Sequence, residues 1–322
     1  MILGIECTAH TFGIGIVYNG KILANVIDMY ITDKGGIVPN EGARHHRNVA
    51  GRVYLEALSK AGINEKDINA IAISNAPGLA PCLHAGMDFA RRKAKELKLP
   101  LVGVNHCIAH LEIGRSLGAF NPVLLYASGA NTQIIAFASG KYRVFGETLD
   151  IGIGNFIDKF ARHAGIGFPG GPKIEKEAVG GNYIELPYSI KGMDVSFSGM
   201  QTKLQHLYDK KISLKDLAFS LQETAFAMLV EAAERAMAHT GKNELVLGGG
   251  VACNSRLQEM CEIMCKERGA KCFCPARELL SDNGAMIAFT GEIMFNSGIS
   301  EGIDKIEIKP RERTDDVIVR WR

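Results

Sequence analysis

The sequence predicts an α/β protein built from two related lobes. Short buried apolar runs, such as Ala70–Ser74 and Leu101–Val104, alternate with longer amphipathic stretches, and this alternation is typical of α/β architecture. A strand–turn–strand pattern at the start of the chain recurs roughly 120 residues later, a period too long for a solenoid. With 322 residues and 47% hydrophobic composition, the chain is long and apolar enough for sizeable cores. We therefore expect two lobes that face each other.

The repeated pattern is a β-hairpin. The first copy spans Ile2–Lys21 and the second spans Val123–Lys141, with Gly20 matching Gly140 when one residue is skipped. Both turns are rich in backbone N–H groups, which suits an anion such as a polyphosphate or an acyl-phosphate. The alternative is that two strand–turn–strand segments resemble each other without being a true repeat.

Two histidines, His106 and His110, are four residues apart in a predicted helix. This spacing puts both imidazoles on one face and within reach of one metal ion, although helical histidines also serve as packing or surface residues. The pair is not the zinc-peptidase motif, because that motif has Glu directly after the first His and this chain has Cys107. Asp282, just before an apolar helix, is either a helix N-cap or an oxygen ligand that completes a His-His-Asp site.

Three glycine-rich turns precede predicted helices. The first turn, Gly146–Gly154, is followed by Asp158, and the second, Gly167–Gly171, is followed by Glu175. The third contains Gly248–Gly250 and ends at Asn254. Glycines let a flat base or a phosphate approach the backbone, and a carboxylate at the second turn can accept bonds from two ribose hydroxyls. The alternative is that Asp158 and Glu175 only favour helix N-termini. The third turn matches neither the dinucleotide-binding nor the P-loop pattern.

The net charge of +2 is too small to make the whole surface attract a polyanion. Nucleic-acid binding would need a basic partner or local patches, and Arg44–Arg47, Arg91–Lys93 and Lys305–Arg322 are the candidates, each of which can also be an ordinary solvated surface. No apolar run reaches the roughly 20 residues that span a bilayer, so we expect no membrane segment.

The eight cysteines have no regular pairing, and Met1 leads directly into a predicted strand, so we expect no signal peptide and a reducing, cytoplasmic location. Cys261 with Cys265, and Cys272 with Cys274, lie in a predicted helix and strand. We expect them to be small buried side chains rather than metal ligands.

Together these motifs resemble one family, the tRNA N6-adenosine threonylcarbamoyltransferases, called TsaD in bacteria. The match is closer to the archaeal and eukaryotic branch, the catalytic subunit of the KEOPS complex, and it covers nearly the whole chain. It is carried, in chain order, by His106-x-x-x-His110, Tyr126–Thr132, Gly171 with Glu175, Gly248–Asn254 and Ser281–Gly284. The resemblance implies the two-lobed fold of actin, hexokinase and Hsp70 (ASKHA).

The resemblance and the repeat together divide the chain into an N-terminal lobe, residues 1–121 completed by about 290–322, and a C-terminal lobe, residues 122–289. The nucleotide and metal site is expected in the cleft between them. By resemblance, one iron or zinc ion is held by His106, His110 and Asp282, with Tyr126 as a further ligand.

The resemblance also implies a site for ATP or threonylcarbamoyl-adenylate. Its phosphates are expected at the second hairpin turn, its ribose beside the first two glycine-rich turns and its adenine near the third. The implied residues are Tyr126, Ala127, Ser128, Gly129, Ala130, Asp158, Gly171, Glu175 and Asn254.

The implied reaction transfers a threonylcarbamoyl group from its adenylate to N6 of the adenosine next to the anticodon, position 37, in tRNAs that read codons beginning with A. The metal polarises the carbonyl and no protein nucleophile is needed. The implied partners are tRNA and the other KEOPS subunits: a small kinase-like ATPase, a small dimerising subunit and a further accessory subunit. Two alternatives remain open: a metal-dependent phosphotransferase of the same fold, and a nucleotide-gated binding subunit without catalysis.

Overall fold

The chain forms two compact units in a computed structural model that describes residues 1–31 and 37–322. The first unit comprises Met1–Gly118, Gly140–Tyr142 and Asp282–Arg322. The second comprises Ala119–Ser139 and Arg143–Ser281. Each unit contains one five-stranded sheet, and each is described in turn.

Strands and helices alternate through most of the described residues. The strands are β1 (Ile2–Glu6), β2 (Thr11–Tyr18), β3 (Lys21–Met29), β4 (Ala70–Ala76), β5 (Leu101–Asn105), β6 (Val123–Ala127), β7 (Thr132–Ala138), β8 (Lys141–Glu147), β9 (Ile190–Lys191), β10 (Asp194–Val195), β11 (Glu244–Gly248) and β12 (Lys271–Phe273). The helices are α1 (Pro39–Ala61), α2 (Ala80–Leu97), α3 (His106–Glu112), α4 (Ile153–His163), α5 (Gly171–Glu177), α6 (Ser198–Asp209), α7 (Leu214–Thr240), α8 (Ser255–Glu267), α9 (Arg277–Leu280) and α10 (Gly284–Asn296).

The sequence pattern predicts helices over about Ala85–Leu97, Leu214–Met237 and Ser255–Glu267, and the first two have different bounds in the structure. Helix α2 begins at Ala80, not near Ala85, because Pro81 occupies its first turn, where the missing N–H of proline is not needed. Helix α7 continues beyond Met237 to Thr240 and ends at Gly241, which has a left-handed φ of 66°. Helix α8 has the predicted bounds.

The sheet of the first unit has the order β3-β2-β1-β4-β5. The central strand β1 pairs antiparallel with β2 and parallel with β4, which pairs parallel with β5. All residues of β1 and β4 are buried, as expected for strands that are covered on both faces. Helices α1 and α2 cover one face, where Leu3 and Ile5 join their core, and α10 covers the other.

Helix α10 packs on the sheet with backbone against backbone. A Cβ added at Gly4 would lie 2.2 Å from the backbone N of Ala288, and one at Gly15 would lie 2.2 Å from the N of Ala285. A Cβ on the helix side, at Gly284, would lie 2.3 Å from the N of Gly15. Only glycine fits at these contacts, so the helix lies closer to the sheet than a layer of side chains would allow.

The sheet of the second unit repeats the topology of the first. Its order is β12-β11-β6-β7-β8, and its central strand β6 pairs antiparallel with β7 and parallel with β11, which pairs parallel with β12. The repeat seen in the two hairpins therefore extends to the whole sheet. Helices α4, α7 and α8 contribute most of the hydrophobic core of this unit.

The cysteines predicted to be buried side chains are packed in the core of the second unit. Cys261 and Cys265 are buried in α8, and Cys272 and Cys274 pack against the same core. All are free thiols, and in the described residues none belongs to a group that could hold a metal.

His46 is a buried histidine of α1 that the sequence analysis did not single out. Burial, with a further contribution from the neighbouring His45, lowers the pKa of His46 to about 4. His45 itself lies 2.7 Å from a carboxylate oxygen of Asp28. The folded state therefore favours the neutral form of His46.

We expect Gly4→Ala to lower the free energy of unfolding by about 3 kcal/mol or more, because its Cβ would collide with the backbone of α10. The matched control is Gly51→Ala in α1, where an added Cβ meets nothing within 4 Å. That change should raise stability by about 0.5–1 kcal/mol through the better helix propensity of alanine. Chemical denaturation of both variants measures the difference, and equal effects would contradict the backbone contact.

We expect the free energy of unfolding to fall as the pH drops from 6.5 towards 4, partly because of His46. In this range His46 takes up a proton in the unfolded chain but stays neutral in the folded chain. The predicted contribution is about 3 kcal/mol. In His46→Gln this part of the pH dependence should disappear, whereas His84→Gln, at an exposed position, should keep it. Urea unfolding at several pH values tests this, and an unchanged slope in His46→Gln would refute it.

Candidate metal centre and nucleotide-binding turns

The two predicted histidine ligands are brought together by α3. Strand β5 ends at Asn105, whose side-chain oxygen accepts hydrogen bonds from the N–H groups of Cys107 (3.1 Å) and Ile108 (3.3 Å). This N-cap starts the helix at His106, and His110 follows one turn later. Their ring centroids are 4.8 Å apart, and both side chains are buried. The predicted placement on one helical face is thus observed.

Asp282 joins the histidines and does not cap the following helix. The N-cap of α10 is Asn283, whose side-chain oxygen accepts a hydrogen bond of 2.9 Å from the N–H of Met286. The N-cap alternative for Asp282 is therefore wrong. Its Oδ1 instead lies 3.3 Å from Nε2 of His106 and 3.5 Å from Nε2 of His110.

These three side chains have the composition and spacing of a metal site. One ligand atom from each residue lies within 4.8 Å of the others. Two imidazole nitrogens and a carboxylate oxygen suit zinc, iron or manganese. Ligand atoms bonded to one zinc ion in tetrahedral geometry are about 3.4 Å apart, which matches the observed distances to Asp282.

The charge states of the group also suit a cation. Burial raises the pKa of the Asp282 carboxyl, but His106 and His110 outweigh it and hold this pKa well below its usual range. Burial lowers the pKa of His110. Near neutral pH the group therefore presents a carboxylate and a neutral imidazole, the forms that bind metals.

The predicted phosphate-binding residues lie in the second unit, at the end of β6 and in the turn to β7. The backbone N–H and hydroxyl of Ser128 both donate to the carbonyl oxygen of Asn131, at 2.9 Å and 3.0 Å. Between them, Gly129 and Ala130 are exposed. Tyr126 and Ala127, before the turn, are buried in β6. The role of Tyr126 as a metal ligand stays a prediction.

Neighbouring glycines hold this turn in place. A Cβ at Gly154 would lie 2.7 Å from the Cα of Gly129, and one at Gly249 would lie 2.3 Å from the carbonyl oxygen of Ala127. Gly249 also has a φ of 91°, which disfavours any side chain. The first and third glycine-rich turns therefore pack directly on the second hairpin turn.

Asp158 and Glu175 each bond to the start of a neighbouring helix. Oδ1 of Asp158 accepts a hydrogen bond of 2.7 Å from the N–H of Gly170, just before α5. Oε1 of Glu175 accepts bonds from the N–H (2.8 Å) and hydroxyl (2.6 Å) of Ser255, the first residue of α8. These carboxylates thus support the starts of neighbouring helices, whereas the alternative concerned the N-termini of their own helices. Their ribose contacts stay a prediction.

Asn254 and Gly171 occupy the starts of two helices. The Asn254 side chain caps α8, accepting from the N–H groups of Arg256 (2.9 Å) and Leu257 (3.3 Å), and it donates to Gln222 at 2.6 Å. A Cβ added at Gly171 would meet nothing within 4 Å. The space beside Gly171 is therefore open, while the Asn254 amide already holds the start of α8.

One residue near the histidines was missed by the sequence analysis. Glu6 ends β1, is fully buried, and its Oε2 lies 2.9 Å from Nδ1 of His106. A carboxylate at the end of an otherwise apolar buried strand was the available signal.

Comparison with known proteins identifies relatives across the full chain. The family model "TsaD: tRNA N6-adenosine threonylcarbamoyltransferase" matches residues 21–289. The tRNA N6-adenosine threonylcarbamoyltransferase of Thermococcus kodakarensis is 56% identical over 321 residues, covering 99% of both chains. A probable bifunctional tRNA threonylcarbamoyladenosine biosynthesis protein of Methanosarcina mazei is 52% identical and covers 99% of this chain and 59% of its own.

Solved structures with little sequence identity share the fold. Full-length HypF in its phosphate- and nucleotide-bound form has a TM-score of 0.63 at 14% identity, covering 91% of this chain and 55% of HypF. The 2-hydroxyisocaproyl-CoA dehydratase activator of Clostridium difficile with bound ADPNP has a TM-score of 0.55 at 13% identity, covering 94% and 98%. These matches confirm the predicted ASKHA-type fold. Among the described residues, no helix is long and apolar enough to cross a membrane.

We expect Asp282→Ala to weaken zinc binding at least about 100-fold, because it removes one of three ligands. Asn283→Ala, at the adjacent residue, should keep zinc binding and lose about 1 kcal/mol of stability, because it removes the helix cap. Competition with a zinc chelator measures affinity, and denaturation of the metal-free protein measures stability. Equal zinc affinity in both variants would contradict the assignment of Asp282.

Proposed function

The chain belongs to the tRNA N6-adenosine threonylcarbamoyltransferase family, and from this premise we propose that it modifies the adenosine next to the anticodon in tRNAs that read codons beginning with A. The donor is threonylcarbamoyl-adenylate. The observation that carries the proposal is the group of two buried histidines, His106 and His110, with the partly buried Asp282, which has the ligand types of a Lewis-acid site. The 56% identity to a curated transferase over 321 residues supports the reaction class.

In the proposed reaction, N6 of the tRNA adenine attacks the carbamoyl carbonyl carbon of the adenylate. The new N–C bond replaces the C–O bond to phosphate, AMP leaves, and the amine loses a proton. A metal ion, iron or zinc, supplies polarisation of the carbonyl when bound by His106, His110 and Asp282, with Tyr126 as a proposed fourth ligand. No protein nucleophile is required.

The second unit is proposed to bind the nucleotide. Gly129 and Ala130 are exposed in the β6–β7 turn, where their backbone N–H groups suit a phosphate, and Ser128 braces the turn beside them. Both bonds from Ser255 go to Oε1 of Glu175. Among the residues that the structure describes, Oε2 is thus left to accept a hydrogen bond from a ribose hydroxyl. Asp158 and Gly171 are proposed beside the ribose, and Asn254 near the adenine.

The protein is proposed to act in the cytoplasm as the catalytic subunit of KEOPS. Its proposed partners are tRNA, a small kinase-like ATPase, a small dimerising subunit and a further accessory subunit. The longer relative from Methanosarcina mazei, named as bifunctional and matched over 59% of its length, supports a second activity working beside this one. We also propose that the two compact units correspond to the two predicted lobes.

We expect the double variant His106→Ala/His110→Ala to lower tRNA modification at least about 100-fold, since electrophilic stabilisation of the carbonyl is lost. The assay combines threonine, bicarbonate, ATP and tRNA with the adenylate-forming enzyme and the KEOPS partners, and it measures modified adenosine by mass spectrometry. His84→Ala, at an exposed position of the same unit, is the control. Equal modification by the double variant would refute the metal-centred reaction, and ATP-dependent phosphorylation of a metabolite by the isolated chain would favour a phosphotransferase.

A further inference from the structure

We propose that Glu6 is a positioning residue for the metal centre, which holds His106 in the tautomer that presents Nε2 to a metal ion. The inference rests on the proposed use of His106, His110 and Asp282 as ligands. It assigns to Glu6 a role in setting the orientation and basicity of one of those ligands.

Each carboxylate oxygen of Glu6 has its own partner. Oε2 lies 2.9 Å from Nδ1 of His106. Oε1 accepts hydrogen bonds from the N–H of Thr8 at 2.7 Å and from its hydroxyl at 2.5 Å. Glu6 is fully buried, so the carboxylate depends on these bonds in place of water. Three donors in fixed positions leave the Glu6 carboxylate little freedom to rotate.

The chemistry of the contact determines the tautomer of His106. A carboxylate oxygen accepts hydrogen bonds, so the 2.9 Å contact assigns the proton to Nδ1 of His106, which donates it to Oε2 of Glu6. In a neutral imidazole Nε2 then has the lone pair. That atom lies 3.3 Å from Oδ1 of Asp282, on the side where the ligand atoms converge. A carboxylate bonded to the remote nitrogen of a ligating histidine fixes the ring and raises its basicity.

The corresponding position in the second unit has no such group. Strand β1 ends at Glu6 and β2 begins at Thr11, while β6 ends at Ala127 and β7 begins at Thr132. The two turns have the same length, yet the methyl group of Ala127 cannot accept a hydrogen bond. The hairpin fold therefore does not require a carboxylate at this position. The reason for a glutamate at position 6 lies instead in its contact with His106.

The same carboxylate connects the first hairpin turn to the histidine. Thr8, which bonds to Oε1 of Glu6, is held from the other side by the N–H of Leu79, which donates to the Thr8 carbonyl oxygen at 2.8 Å. A Cβ at Gly78 would lie 2.7 Å from that carbonyl oxygen, so this contact is tight. The orientation of His106 thus depends on a turn anchored between β1 and the start of α2.

We expect Glu6→Gln to reverse the tautomer of His106. The glutamine carbonyl can accept from Thr8 while its amide donates to Nδ1, so the proton moves to Nε2 and blocks the metal-binding lone pair. The expected result is a 10- to 100-fold weaker affinity for zinc. Two-bond ¹H–¹⁵N correlation spectra of histidine-labelled, metal-free protein report the tautomer, with His106→Gln identifying the signal. Chelator competition reports the zinc affinity.

The matched control is Glu292→Gln. Glu292 is another buried carboxylate of the first unit, and it accepts bonds from the backbone N–H groups of Asn19 (2.7 Å) and Gly20 (2.6 Å). The Glu292→Gln variant should be less stable than the wild type but should keep the His106 tautomer and the zinc affinity. Thr8→Val keeps the N–H bond to Glu6 and removes the hydroxyl, which bonds to Oε1 of Glu6 and lies 3.4 Å from Nδ1 of His106. It should retain the Nδ1–H tautomer with a smaller loss of affinity, because the bond between Glu6 and His106 remains.

Wild-type protein alone can overturn the proposal: a His106 signal of the Nε2–H tautomer in metal-free protein would do so, even if Glu6→Gln failed to fold. A Glu6→Gln variant that folds and binds zinc within twofold of wild type would do so as well. Neither readout uses tRNA. An inactive reconstituted enzyme with normal zinc binding would therefore refute the proposed function and leave the role of Glu6 intact.

Discussion

The direct contact between α10 and the first sheet is the constraint on which the candidate metal-ligand group of His106, His110 and Asp282 depends. Gly4 and Gly15 on the sheet and Gly284 on the helix allow the two backbones to meet without a side chain between them. The helix begins beside Gly13, the residue paired with Glu6 at the end of β1. Its first residues, and Asp282 just before them, are thereby brought to the edge of the sheet where α3 begins. Side chains between α10 and the sheet would move the Asp282 carboxylate away from the His106 and His110 imidazoles.

Asparagine caps free the ligand side chains for other contacts. Asn105 satisfies the first N–H groups of α3, and Asn283 does the same for α10. A helix start left without a cap would compete for the nearest carboxylate, because its N–H groups need acceptors. With Asn283 as acceptor, Asp282 can turn to His106 and His110, where the two rings keep its pKa low despite burial. Asn283 thus stabilises the start of α10, while the adjacent Asp282 is left to contact the histidines.

Local patterns predicted the elements well, and long-range contacts were beyond them. The hairpin repeat and the bounds of α8 could be derived because hydrophobic period, glycine turns and asparagine caps act within a few residues. The sequence alone could not decide whether Asp282 caps the helix or binds a metal. Asp and Asn are both good N-caps, and Asp282 and Asn283 are adjacent. Glu6 and His106 are 100 residues apart, so no local pattern could pair them. His46 was missed because its burial arises from packing on Phe12.

The two hairpin turns show how one topology can acquire two chemistries. Both follow a buried central strand, both have the same length, and both precede a strand that begins with threonine. In the first unit, the strand ends in a carboxylate that bonds to Thr8 and to an imidazole, so the turn supports the proposed cation site. In the second, it ends in Ala127, and Ser128 braces a turn whose exposed N–H groups suit an anion. A difference at the last residue of an otherwise equivalent strand accounts for much of this contrast, because it decides whether the turn contributes an acceptor or only backbone donors.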